Sequence, residues 1–535
     1  MAECKIPGHI AYELDCRAEN TPDLNIVTFE NGDFAEEILT YGDIVTQGRK
    51  VARLLVNAGI GKGDTFALLM RNHPEFLYAL YASTMLGAVM IPVDPRVKGD
   101  RLKYVLKDSR AKGVILTSEF MDNVTAVLSD LPDVKVLGVA YKEGMHVPVN
   151  HRFPSLNEIY EGPEGSPPDH RSDEIHVPIE IIYTSGTTGD PKGVVVKGNR
   201  LVPFSQLALF VWQYTPEDKL YTGLSLTHGN AQAVTLMPSL MLSIPSVISS
   251  KFTKSRIWDI CRKYGCTTFS LLGGMMMGIY SEPPKPDDAD NPVRLVLSAG
   301  TPYAIWEDFE RRFNVMIHEW YGAVEGGFAH KPPGVGPIGS FGKPIEGLME
   351  MKVVDHSGNN CPCGDIGEII FRLLGQETEV EYLGKKKASE DKTRGGWLRT
   401  GDMGHTDEAG WFFFDYRAGG GLRRAGDFIQ PQYVEAGIAV HPDVNDVCVY
   451  GIPSASGAPG ESDLVAAVVA VEGKTLDPKS IFAHCREKLE GNAVPSYLQV
   501  VDAIPKSASE KNLDRLLKDD FTKDGENVFA LTDYL

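Results

Sequence analysis

Between Thr40 and Asp94 the apolar positions alternate between two periods. Ile44, Val45, Val51, Leu54, Leu55 and Ala58 fall close to one face at helical spacing and predict an amphipathic helix over 41–58. Gly59-Ile60-Gly61-Lys62-Gly63-Asp64 ends it, and Phe66 to Met70 reads as a buried strand. Pro74 to Leu86 predicts a second, more apolar helix, and Gly87 to Val93 a second strand. Strands and helices alternating in this way form βαβ units, so the pattern predicts a parallel sheet covered by helices. The breaker-rich stretch 162–168 leads into a short apolar run, 177–182, and further alternation runs through 250–300. The proline- and aspartate-rich segment 283–292 predicts an exposed excursion. Proline and glycine thicken again over 332–344.

The clearest boundary follows the aromatic run Trp411 to Phe414. Arg417-Ala418-Gly419-Gly420-Gly421 favours neither helix nor strand and predicts a hinge. Beyond it, 433–439 and 478–489 read as helices and 447–451 and 465–471 as strands, a small α+β domain of roughly one hundred residues. The expected organisation is therefore α/β, with a large N-terminal domain over 1–417, a glycine hinge at 418–421 and a C-terminal domain over 422–535.

Composition changes this picture little. The chain has 535 residues, 43% hydrophobic and 23% charged, as in ordinary folded proteins. With 53 basic and 72 acidic residues its formal net charge is −19, which disfavours nonspecific attraction to nucleic acid or anionic membrane. The eight cysteines are scattered, without paired Cys-x-x-Cys units, so free thiols in a reducing cytoplasm are expected. Residues 1–13 lack the apolar core of a signal peptide, and no apolar run is long enough to predict a membrane span.

The chemistry centres on Tyr183-Thr184-Ser185-Gly186-Thr187-Thr188-Gly189-Asp190-Pro191-Lys192-Gly193-Val194, directly after the apolar run. Glycines turn backbone N–H groups toward an anion, Thr184, Ser185, Thr187 and Thr188 add hydroxyl donors, and Lys192 adds a charge. Polyphosphate is the natural guest. A Walker P-loop is excluded by spacing, because only two residues separate Gly186 from Gly189 and Pro191 precedes Lys192.

This stretch resembles the phosphate-binding signature of the adenylate-forming superfamily, which includes acyl- and aryl-CoA synthetases, luciferases and stand-alone adenylation domains. Further phrases from about residue 40 to 520 are similar in the same order. Glu319-Trp320-Tyr321-Gly322-Ala323-Val324-Glu325 resembles Tyr-Gly-x-Thr-Glu, with valine for threonine at 324. Gly396-Trp397-Leu398-Arg399-Thr400-Gly401-Asp402 resembles Trp-x-x-Thr-Gly-Asp, and Arg417 holds the position of the family arginine, after Tyr416 where aspartate is usual. Ile504-Pro505-Lys506-Ser507-Ala508-Ser509-Glu510-Lys511 resembles the segment ending in the family lysine, with glutamate for glycine at 510. Arg423-Arg424-Ala425-Gly426-Asp427 departs from the usual Lys-Arg-Gly-Gly-Glu-Asn of the thioester-forming loop.

The resemblance implies a nucleotide site made of Thr184, Ser185, Gly186, Thr187, Thr188, Gly189, Lys192, Gly300, Thr301, Trp320, Tyr321, Gly322, Asp402 and Arg417. Catalytic roles fall to Lys511, Glu325 and Thr187, with magnesium on Glu325 and the ribose on Asp402. His228, Gly273, Gly274, Met275 and Trp320 are the expected acyl pocket. The implied reaction joins an organic carboxylic acid, ATP and CoA with Mg2+, through acyl-AMP. The nearest phrases, 74–76, 86–92 and 494–498, are similar to those of ligases of the crotonobetaine/carnitine type. An enzyme that loads a carrier protein and a nucleotide-binding regulator with weakened catalysis are the alternatives, and a homodimer is compatible with each.

Overall fold

The computed structural model describes residues 4–145, 153–163, 172–184, 191–280, 282–418, 422–429, 431–455, 458, 460–505, 512 and 514–534. Thr40 starts the helix Tyr41–Asn57 with a reciprocal capping box. Its hydroxyl accepts from the Asp43 amide while the Asp43 carboxylate accepts from the Thr40 amide. The predicted face, including Ile44, Val45, Val51 and Leu55, is buried. The next helix, Pro74–Leu86, has proline in its first turn, where no N–H is needed, and ends at Gly87 in the left-handed region at φ 67°. All thirteen of its residues are buried, so no polar stripe interrupts its apolar run.

Burial on all sides follows from its position between two sheets. One core joins this helix pair to Val27, Phe29 and Ile248 of a larger sheet and to Phe66, Leu68 and Met90 of a smaller one. A second core covers the other face of the smaller sheet, where Ala67, Leu69, Ile91 and Val93 meet Leu102, Val105 and Leu106 of helix Gly99–Asp108. The strand Thr65–Leu69 is thus apolar on both faces, as parallel strands covered on both sides must be. Met70, expected in that strand, lies just beyond it.

Among the described residues the smaller sheet has six strands. They run Lys135–Ala140, Gly113–Thr117, Thr65–Leu69, Val89–Val93, Pro178–Thr184 and Lys192–Lys197. All neighbours are parallel except the last pair, which is an antiparallel hairpin. The larger sheet has thirteen strands. Its parallel part includes Leu220–Thr222, Thr268–Leu272, Leu295–Ala299 and Met316–Ala323. It continues as antiparallel strands through Gly326–Lys331, Ser340–Pro344, Phe412–Arg417 and Leu398–Thr406.

After a two-stranded hairpin, Leu422–Arg424 with Asp427–Ile429, the C-terminal part forms a four-stranded sheet. Helices Pro431–Ala439 and Pro478–Lys488 pack on one face of that sheet through Val434, Ile438, Ile481 and Phe482. Strands Val444–Pro453 and Ser462–Ala470 are longer at both ends or one end than the apolar runs alone predict, because their ladder continues through polar residues such as Asp446 and Asp463. The fold is thus α/β, with a larger N-terminal part and a smaller C-terminal part. The segment 283–292 is exposed as expected but tethered. Asp288 is buried, accepts from the Lys285 amide and pairs with Arg312 at 2.7 Å. None of the eight cysteines forms a disulfide, and among the described residues no helix is long and apolar enough to cross a membrane.

Candidate active site

Ligand sites of α/β sheets form beyond the carboxyl ends of strands. Here a cavity of about 750 Å³ lies beyond several of those ends. Asp94 and Arg96 follow strand Val89–Val93, Thr184 closes Pro178–Thr184, Gly300 and Thr301 follow Leu295–Ala299, and Trp320 to Gly322 close Met316–Ala323. Asp402 enters from strand Leu398–Thr406, while Arg423, Gly426, Asp427, Glu490 and Asn492 enter from the C-terminal part.

The turn at 300–301 is held by an acidic residue whose role the motif alone does not reveal. Glu319 accepts from the amides of Gly300 at 2.6 Å and Thr301 at 3.2 Å, and the Thr301 hydroxyl lies within hydrogen-bond reach of both Glu319 and Ser298. Gly300 takes φ 80°. A Cβ on Gly273 would stand 1.9 Å from the Gly300 carbonyl oxygen, so only glycine fits at the start of helix Gly273–Tyr280. That close approach gives Gly273, named for the acyl pocket, a part in shaping the turn. Leu272 lines the cavity, whereas Gly273 is spent on backing the turn and Met275 packs into the apolar cores. Gly274 follows on the same helix, and its surroundings lie outside the described residues.

Tyr321 and Asp402 form a hydrogen-bonded pair in the cavity wall. The Tyr321 hydroxyl donates to the Asp402 carboxylate, and the Tyr321 ring stacks on Phe371 with centroids 5.7 Å apart. Asp402 is buried, and its amide donates to the Thr400 hydroxyl at 2.9 Å. Strand pairing sets Arg417 opposite Asp402. The side chain of Arg417 lies outside the described residues, as do Ser185, Gly186, Thr187, Thr188, Gly189, the glycines 419–421 and Lys511.

On the phosphate-loop side, Thr184 pairs with Lys192 across the hairpin. The Lys192 ammonium sits over the Tyr382 ring, 5.3 Å from its centroid, and the Tyr382 hydroxyl donates to Glu325 Oε1 at 3.0 Å. The second oxygen of Glu325 has no hydrogen bond among the described residues, and Glu325 lines the cavity. No group of three or more metal-ligating side chains occurs among the described residues. A lone carboxylate beside a polyphosphate site still fits Mg2+, which commonly takes one or two carboxylates and completes its shell with phosphate and water.

His228 is in the cavity wall, as expected, but in an electrostatic setting that sequence does not show. Its Nε2 lies 3.5 Å from Asp94 and 3.9 Å from Asp427. Burial works against the charged imidazole, yet the Asp94 hydrogen bond and charge, with the Asp427 charge, hold its pKa above the ordinary value. Arg96 joins the same cluster, 2.5 Å from Asp94 and 2.6 Å from Asp427, and so ties the N-terminal part to the loop 423–427. A second tie runs from Arg101 to Glu490 at 3.4 Å. No motif singles out Asp94, Arg96, Glu180, Arg200, Gln232 or Tyr382; the position of Asp94-Pro95-Arg96 at a strand end is the available signal.

Two carboxyls facing this region are fully buried. Burial pushes Glu319 up to about 7 against the hydrogen bonds from Thr301 and the amides of Gly300 and Thr301, and pushes Glu180 up to about 8 against one hydrogen bond from Gln232. Both hold a proton more tightly folded than unfolded. Between the ordinary value of 4.5 and these raised values the folded state therefore binds more protons, and stability falls as pH rises. In urea midpoints measured from pH 5 to 8 these two carboxyls contribute a decline, opposed below about pH 6.5 by His73 and His318, which burial holds neutral. Glu319→Gln is expected to flatten the part of the decline up to about pH 7, by at most about 3 kcal/mol. An unchanged slope in that variant would remove Glu319 as its source.

Known proteins resemble this chain over most of its length. Residues 14–376 match the family model described as AMP-binding enzyme, and residues 433–511 match the AMP-binding enzyme C-terminal domain. The crotonobetaine/carnitine–CoA ligase of Citrobacter koseri is 27% identical over 500 residues, covering 92% of this chain and 95% of that protein. Among solved structures, an o-succinylbenzoate CoA synthetase from Bacillus subtilis bound to a product analogue superposes with a TM-score of 0.78 at 23% identity, covering 95% of this chain and 98% of the other. An amide bond synthetase from Marinactinospora thermotolerans superposes with a TM-score of 0.80 at 21% identity, covering 96% and 100%. At these identities the two structures speak for the fold.

Proposed function

We propose that this chain, which belongs to the AMP-binding enzyme family, is an AMP-forming acyl-CoA ligase. A carboxylate oxygen of an organic acid attacks the α-phosphorus of ATP, the bond to the pyrophosphate oxygen breaks, and acyl-AMP forms. The CoA sulfur then attacks the acyl carbon, loses its proton, and displaces AMP. One observation carries this reading: segments far apart in sequence converge on one cavity with phosphate-side cations at one wall and a ribose-type carboxylate at another.

In this reading Asp402 accepts the ribose hydroxyls and the 300–301 turn and Tyr321 bracket the base. Lys192 neutralises the departing pyrophosphate together with Thr184 and the loop residues Ser185, Gly186, Thr187, Thr188 and Gly189. Lys511 neutralises charge gathering at the α-phosphate. Glu325 would hold Mg2+, which supplies Lewis-acid neutralisation of the phosphate oxygens. Arg423 and Asp427 close the cavity from the C-terminal part, and the glycines 419–421 are the proposed pivot between the two half-reactions. A reducing compartment such as the cytoplasm suits eight cysteines outside any disulfide.

The acyl end of the cavity combines aromatic faces, Phe204, Trp320 and Phe328, with the Glu180 carboxyl and the Gln232 amide. Such a wall suits an acid that bears a quaternary ammonium, like the substrates named for the Citrobacter relative. A pyrophosphate-release assay with CoA tests the assignment on carnitine-like, steroid-side-chain, medium-chain and aryl acids. Equal yields of AMP, pyrophosphate and thioester with one class are expected. Turnover with a phosphopantetheinylated carrier protein but not with CoA would replace the acceptor, and no turnover on any acid with ATP still bound would overturn the enzyme reading.

A further inference from the structure

Arg200 is a cation that has no partner among the described residues, in a place that disfavours cations. It occupies the first turn of helix Gly198–Val211, the end where the helix dipole is positive, and no acidic residue in that turn offsets it. Its N-cap, Lys197, makes no side-chain cap and is itself basic. The Arg200 side chain lines the cavity and is exposed there. Among the described residues it makes neither a hydrogen bond nor an ion pair. Burial lowers its pKa from the ordinary value, and the Glu325 charge opposes that shift from beyond ion-pair distance; a guanidinium stays charged in such a setting.

What lies opposite explains why an unpaired cation is kept there. Arg200 Nη2 is 3.8 Å from the position a Cβ would take on Gly326, next to Glu325 and Val324. Val324 stands where the resembling motif has a threonine, and its side chain has no donor for a phosphate oxygen. Lys192 is linked to the same glutamate through the Tyr382 ring and hydroxyl. Glu325 thus has two cations in its surroundings, one linked through Tyr382 and one felt through its charge, and their sum leaves a positive charge that an anion would complete.

We propose that Arg200 is a polyphosphate ligand of the adenylation step, supplying from the first turn of its helix the donor that Val324 lacks. The inference rests on the reading of the cavity as an ATP site and adds to it a residue that none of the motifs contains. Its ligand class is the β- and γ-phosphate end of MgATP, not the AMP end, because Arg200 adjoins Gly326 and feels the charge of Glu325, the carboxylate assigned to the metal, and not that of Asp402, the carboxylate assigned to the ribose.

Binding of MgATP and of AMP, each measured by calorimetry, separates the two ends without requiring the acid to be known. In Arg200→Met the affinity for MgATP is expected to fall at least 10-fold while that for AMP stays within 3-fold and the melting temperature is unchanged. Arg200→Lys should lose less than Arg200→Met. Val324→Thr placed on Arg200→Met should regain part of the lost MgATP affinity, which a merely structural role would not produce. Equal loss for both nucleotides, or no loss for either, overturns the assignment of Arg200. A wild-type protein that binds neither nucleotide would instead overturn the ligase reading itself.

Discussion

Lys511→Ala is expected to lower acyl-AMP formation by about 10²- to 10³-fold while leaving thioester formation from preformed acyl-AMP within a few-fold. The split follows from the charges in the two half-reactions. Attack of a carboxylate on the α-phosphate brings one anion onto another, and a mobile ammonium is the group whose removal is felt there. Attack of a thiol on an acyl-AMP expels AMP without building a new polyphosphate anion. Lys511 lies outside the described residues, so the expectation rests on its motif and on the chemistry. Equal damage to both half-reactions would assign Lys511 to folding or to general nucleotide binding, and undamaged adenylation would remove it from the mechanism.

Asp402→Asn is expected to raise the KM for ATP by about 10²-fold, since the weakened acceptor loses most of two charge-assisted hydrogen bonds. The substitution keeps the shape of a buried side chain that already receives the Tyr321 hydroxyl. Tyr321→Phe serves as the internal comparison. It removes that hydroxyl while preserving the stack on Phe371, so its effect should be smaller, about 10-fold or less. If the Asp402→Asn variant bound ATP as the wild type does, the ribose would have to be held elsewhere. Substituting 2′-deoxy-ATP for ATP gives the complementary measurement, with the wild type losing affinity and Asp402→Asn losing little more.

The elements most legible in sequence were those governed by local rules. Tyr41–Asn57 has both a cap and a period, Pro74–Leu86 has proline at one end and glycine at the other, and the strands between them are short runs that burial on two faces makes wholly apolar. The candidate site was legible where one segment carries its own chemistry, as in Glu319 to Glu325 or Gly401-Asp402. It was opaque where function arises from neighbours distant in the chain. Nothing near His228 in sequence announces Asp94 and Asp427, which come from a strand end far upstream and from a loop far downstream. Gly273 stands in the acyl pocket that the resemblance implies, and nothing near it in sequence announces the Gly300 carbonyl that fills the space beside its Cα. Tyr382 has no motif at all, and its hydroxyl reaches Glu325 only through tertiary packing.

The hairpin that carries the phosphate loop fixes which way its lysine faces. Pairing of Tyr183 with Gly193 and of Thr184 with Lys192 leaves successive side chains on opposite sides of the sheet. Tyr183 points to the side where its hydroxyl meets Asp108, 2.8 Å away, and Gly193 leaves room for its ring, since a Cβ there would lie 3.1 Å from Tyr183 and 2.6 Å from Ile181. A slip of the ladder by one residue would drive a side chain into that space and turn Lys192 to the far side of the sheet. The side of the sheet on which this cation stands is therefore set by the two strands that enter and leave the loop.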